Sequence, residues 1–183
     1  MPPPAPRPLF PFLFSLFTAA LCAASASAAA FSPLQIGAGW PAPAGFDLQL
    51  VSRETPVFGL RLNLLGSRND TVAGLDFGIC SDAKTFSGLR LNVISGSKTL
   101  NGVAIAFADI SEEVRGVQIG GLNLALHEVR GAQIGLLNYT YSLRGAQIGI
   151  LNAAENLHGV QIGLFNWADS TSHPCLPFLR ASF

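Results

Sequence analysis

The hydrophobic and polar positions of this chain recur every 14 or 15 residues. From Gly131 the sequence reads GAQIGLLNYTYSLR, then GAQIGILNAAENLH, then GVQIGLFN. With the opening glycine as position 1, nine units begin at Gly45, Gly59, Gly74, Gly88, Gly102, Gly116, Gly131, Gly145 and Gly159. PLQIGAGW, at 33–40, reads as a degenerate tenth. A fixed internal period of this extent outranks any other fold signal in a sequence.

Positions 2, 4 and 6 are nearly always apolar, as in Val160, Ile162 and Leu164, with Gly121 the main lapse. Positions 3 and 5 are mostly polar or glycine, as in Gln161 and Gly163. That alternation has the period of a strand, not of a helix. Position 7 is usually apolar again, which predicts a bend. Position 8 is small and polar or glycine, as in Asn123, Asn138, Asn152 and Asn166, and suits a turn. The residue two before each glycine is apolar in every unit from Val57 to Leu157. It differs in parity from position 2, so a kink at the glycine is needed if both face inward. Each unit therefore predicts a firm strand, a corner, a shorter strand and a glycine corner.

Two all-β architectures fit best, with an open sheet or sandwich as the remaining alternative. In a parallel β-solenoid of about nine coils, each position stacks about 4.8 Å from its counterpart, with positions 2, 4 and 6 inward and the Gln–Gly positions outward. Stacking gives a reason to repeat a polar identity, because Asn and Gln ladders bond amide to amide. In a small antiparallel outer-membrane β-barrel, the same apolar positions face lipid and Gln and Gly face the lumen. Pro174 and Pro177 would interrupt the barrel's last strand, and its aromatic girdles are weak. The repeated polar identities favour the solenoid.

Composition adds a compartment. Residues 1–30 carry Arg7, an apolar run from Leu9 to Ala23 and then small residues, the order of a secretory signal. Ala26-Ser27-Ala28 and Ala28-Ala29-Ala30 both fit a cleavage site. The chain then divides into a signal (1–30), an N-terminal cap (31–44), the repeat domain (45–170) and a tail (171–183) whose Leu176, Phe178, Leu179 and Phe183 are expected to cover the open end. Eleven basic residues balance eleven acidic ones, which gives no basic footprint for nucleic acid. Only 12% of residues are charged, low against the usual quarter or so of a soluble domain.

Candidate chemistry is sparse. His127, His158 and His173 are scattered, and no metal-protease, paired-cysteine or phosphate-loop motif occurs. Neither a metal nor a cofactor is expected, and the chain does not read as an enzyme. Cys80 reads as a small apolar residue at position 7. A Cys80–Cys175 disulfide would weigh against a straight solenoid, since six coils span roughly 29 Å and the chain from Ser170 reaches only about 17 Å. What is left is a candidate binding strip of Gln118, Gly120, Gln133, Gly135, Gln147, Gly149, Gln161 and Gly163, uncharged and flat enough for a glycan or protein partner. Arg115, Arg130 and Arg144 would form a basic corner beside Glu113, Glu128 and Glu155.

The units GVQIGGLN, GAQIGLLN, GAQIGILN and GVQIGLFN resemble the G-[VAL]-Q-[IL]-G-[LF]-x-N units of a bacterial surface-repeat family, known from spirochaetes and other double-membrane bacteria. The likeness is strong over 116–166 and faint over 45–109, where Arg or Asp replaces Gln. It implies an exported protein of the periplasm, outer membrane or cell surface, with an envelope partner or membrane association, and brings no catalytic residues with it.

Overall fold

The computed structural model describes residues 31–39, 49–170 and 175–183. The signal expected over 1–30, much of the cap and the start of the tail lie outside the described residues. What is described is all-β: strand β1 (Ser32–Gly37), the long element β2 (Val57–Ala168) and strand β3 (Cys175–Ser182), hydrogen-bonded in one sheet in the order β1-β2-β3.

A straight strand of 112 residues would run for roughly 370 Å at about 3.3 Å per residue. Instead, β2 turns at its glycines and lies against itself. Gly59, Gly74, Gly88, Gly102, Gly116, Gly131, Gly145 and Gly159 all have positive φ, between 128° and 157°. A Cβ added to any of the last seven would collide with the carbonyl oxygen of the preceding glycine in the series. Backbone thus approaches backbone at every period, and a glycine satisfies both the dihedral and the clearance.

β1 pairs in parallel with the start of β2, Leu34 on Leu60, Gln35 on Arg61 and Ile36 on Leu62. The degenerate unit at 33–40 is therefore in frame with the repeat. It also corrects the expected count: the unit opened by Gly45 does not sit between β1 and the Gly59 unit, which pair directly. Its described part turns back, with Gln49 bridging Gly37 in the antiparallel sense and the Leu50 amide donating to the Ile36 carbonyl.

At the other end β3 runs antiparallel along the last unit, from Gly159 opposite Ser182 to Trp167 opposite Cys175. The pairing slips between Gly163 and Asn166, beside Pro177, which has no N–H to contribute. The tail does cover the last edge, but with its backbone. Leu176, Phe178, Leu179 and Phe183 are exposed, contrary to expectation, and the buried residue of β3 is Arg180, which donates to the Ala168 carbonyl at 3.3 Å.

The orientation of the side chains overturns the larger expectation. The residues two before each glycine (Val57, Val72, Phe86, Leu100, Val114, Val129, Leu143 and Leu157) are buried as anticipated. Positions 4, 6 and 7 are not, apart from Cys80 at position 7. Leu64, Phe107, Leu136 and Leu164 are 65, 72, 56 and 52% exposed, while Gln118, Gln133, Gln147 and Gln161 are fully buried. The physical reason lies across the interior, where a row of small residues faces the glutamines: Ala83, Ser97, Ser111, Ala125, Thr140, Ala154 and Ala168, all buried. That row leaves space for one layer of long side chains, and amides fill it by bonding to one another and to interior carbonyls.

Candidate functional site

The candidate Gln–Gly strip is an internal column, not a surface. Gln133 donates to Gln118 at 2.8 Å, Gln147 to Gln133 at 2.7 Å and Gln161 to Gln147 at 2.7 Å, Nε2 to Oε1 each time. The same Nε2 atoms also reach the Tyr139, Ala153 and Trp167 carbonyls at 3.0–3.2 Å, closing the corner six residues on. A second column runs beside it. Asn123 donates to Asn138, Asn138 to Asn152 and Asn152 to Asn166, Nδ2 to Oδ1, each at 2.8 Å. The glutamines donate toward the N-terminal end and the asparagines toward the C-terminal end, so the two amide ladders oppose in dipole. Gly135, Gly149 and Gly163 make room for this second column: a Cβ there would strike the preceding unit's backbone oxygen and the Asn amide. They permit close internal approach and offer no platform to a partner.

Toward the N-terminus the Gln column becomes ionic. Asp76 accepts from Arg61 through both oxygens, at 3.1 and 2.6 Å, and Arg90 lies 3.4 Å from the same carboxylate. Arg90 also lies 3.7 Å from Asp109, and its guanidinium sits 4.2 Å above the Phe86 ring. Asp109 accepts from Ser95, Ser111 and Gln118, which joins the ionic stretch to the amide ladder. All four charged residues are fully buried, two of each sign. Buried ions are tolerable only when paired and hydrogen-bonded. Arg61, Asp76 and Asp109 are both, whereas Arg90 has its two carboxylates and one bond to the Gly96 carbonyl but leaves Nε and Nη2 without a hydrogen-bond partner. Burial acts to raise the Asp76 pKa, but Arg61, Arg90 and Ser81 outweigh it and hold the carboxyl below its ordinary value. For Arg90, burial pulls the guanidinium's pKa down, against the opposing pull of Asp109 and Asp76.

The two outer flanks differ. One, built by positions 2, 4 and 6, is apolar from Leu89 through Val93, Ile105, Phe107, Ile134, Leu136, Ile148, Ile150 and Ile162 to Leu164. The other carries ion pairs between adjacent units, Lys84 with Asp70 at 2.8 Å and Arg68 with Asp82 at 2.6 Å. At the glycine corner Arg130 and Arg144 both engage Glu128, at 2.9 and 3.0 Å, and Arg115 engages Glu113 at 3.6 Å. Glu155 instead accepts from the Tyr139 hydroxyl at 3.0 Å, which raises that phenol's pKa.

A shallow groove of about 660 Å³ runs beside Cys80, Ile94 and Ile110, with Arg68, Asp82 and Lys98 among its other walls. Cys80 is buried, Cys175 is exposed, and both are free thiols. Among the described residues no group of three or more His, Cys, Asp or Glu is placed to hold a metal ion. His127 and His158 are both exposed.

Comparison with family models, with curated proteins and with solved structures returns no match to this chain.

Proposed function

We propose that this chain is an exported, non-enzymatic structural or binding protein of the bacterial cell envelope or surface, with residues 57–168 coiled as a parallel β-solenoid. The observation that carries the reading is the pair of continuous amide columns. The interior Gln and Asn residues from Gln118 to Asn166 bond each unit to the next, which suits a rigid scaffold that works through its outside. The parallel pairing of β1 with β2 and the glycine-on-glycine contacts at each period support the solenoid. The leader-like residues 1–30 and the resemblance of 116–166 to bacterial surface repeats support export.

One observation favours a second reading, an integral outer-membrane β-barrel. Its required polarity, apolar outside and Gln inside, is the polarity seen. Neighbouring barrel strands run antiparallel, however, whereas here equivalent positions of successive units lie side by side.

The test of export is fractionation of a double-membrane bacterium expressing the full chain, with sequencing of the mature N-terminus. Envelope-located protein beginning at Ala29 or Phe31 is expected. Uncleaved protein confined to the cytoplasm contradicts the proposal.

A further inference from the structure

Among the described residues the last unit is covered by β3, yet one flank is left apolar. From Leu34 in β1 to Leu164 the outward positions 2, 4 and 6 of all nine stacked units hold no charged residue. Six residues of strand give a width of about 20 Å, and nine stacked units, β1 included, a length of about 43 Å. The resulting patch of roughly 850 Å² is well above the apolar patches that monomers usually leave in water. It matches the area of about 800 Å² that each partner contributes to a stable interface.

We propose that this flank is the contact surface for a second copy of the same chain, the two flanks packed face to face. Three features of the flank select that occupant. First, it has the anatomy of an interface: an apolar centre with a polar rim, the rim being Arg115, Arg130 and Arg144 along the glycine corner. Second, those arginines are engaged by Glu113 and Glu128 and the chain's formal net charge is zero, so little charge is left to draw an anionic bilayer. Third, the centre of the patch carries an aromatic knob. Phe107 is 72% exposed, the most exposed large apolar side chain of β2, and its ring lies over Gly121, where the flank lacks a side chain. An aromatic anchor near the geometric centre is where binding energy concentrates. Two sheets meeting in this way lie about 10 Å apart with their side chains interdigitated. End-to-end growth is disfavoured, because β3 carries Pro177 and its own slipped register across the last edge.

Sedimentation velocity of the full chain in detergent-free buffer tests the inference. A dimer at micromolar concentration is expected for the native chain and for Lys84→Glu on the charged flank, and a folded monomer for Phe107→Glu. A second readout does not rely on a disruptive change. In a Cys175→Ser background, Ile105→Cys, at position 4 of the central unit, should give a disulfide-linked dimer on mild oxidation and Lys84→Cys should not. A native chain that is monomeric at tens of micromolar overturns the proposal. So does a dimer indifferent to both flank substitutions, or a monomer that floats with phosphatidylcholine–phosphatidylglycerol vesicles, which would make lipid the occupant.

Discussion

Each interior glutamine serves two neighbours at once. Gln147 donates to Gln133 and to the Ala153 carbonyl, and accepts from Gln161. Removing it leaves two buried amides short of a partner as well as a void. An unsatisfied buried group costs about 1–3 kcal/mol, so Gln147→Ala is expected to lose about 2–4 kcal/mol in denaturant titration. Tyr141→Ala, on the outside, is expected to lose under about 0.5 kcal/mol. Asp76 makes a pH prediction. Its folded pKa is depressed, so its contribution is fully present above the unfolded value near 3.8 and is lost as pH falls through the lower, folded value. The native chain should therefore lose stability steeply below about pH 4, and Asp76→Asn should be less stable at pH 7 but flatter through the acid range. Thermal melts from pH 7 to pH 2 would read both. The signal for these inward residues was present in the sequence. The buried Leu143 and Gln147 have the same parity, whereas Leu143 and Ala146 do not, so Gln inward needs no change of face. Hydrophobicity argued for the opposite orientation, and periodicity alone does not say that an amide ladder can fill a narrow interior.

At the scale of the repeat unit, the all-β character was legible from the alternation, and the glycines at which the backbone takes positive φ were legible from their fixed period. So was the buried ladder from Val57 to Leu157. The opposing row from Ala83 to Ala168 went unread, although it stands in the sequence as a run of small residues at position 10, and its burial marks the inside. The unit at Gly45 was not legible as an exception: its glycine and alternation match the others, and only the pairing of β1 with the Gly59 unit reveals that it is bypassed. The glycines give a paired prediction. Gly131 has φ 144° and sits on the Gly116 carbonyl, so Gly131→Ala should cost at least about 2 kcal/mol. Gly96 has ordinary φ, and its nearest atoms would be 3.5 and 3.6 Å from a new Cβ. Gly96→Ala should be neutral or stabilising by up to about 1 kcal/mol, chiefly through the unfolded chain. Parallel denaturant titrations of the two variants would check the contrast.

For the whole molecule, the exposed edges set the behaviour. β3 covers the last unit with backbone hydrogen bonds, and Arg180 stands opposite Gln161 at the end of the amide column. Deleting residues 175–183 bares a strand edge of the kind that templates aggregation, and concentration-dependent light scattering should appear where the full chain stays clear. The ion pairs of the charged flank are exposed and contribute little, about 0–1 kcal/mol each, so high salt should leave stability nearly unchanged.

The central claim is that equivalent positions of successive units lie side by side in a straight stack. Pulsed electron resonance between spin labels on the charged flank measures it most directly, once the native cysteines are replaced. The pairs Lys84–Tyr141, Asp70–Tyr141 and Asp70–Glu155 span four, five and six periods. A straight stack predicts separations of about 19, 24 and 29 Å, increasing by about 4.8 Å for each period added. Separations that level off or shorten with added periods would mean that the chain closes on itself as a barrel, and would contradict the account.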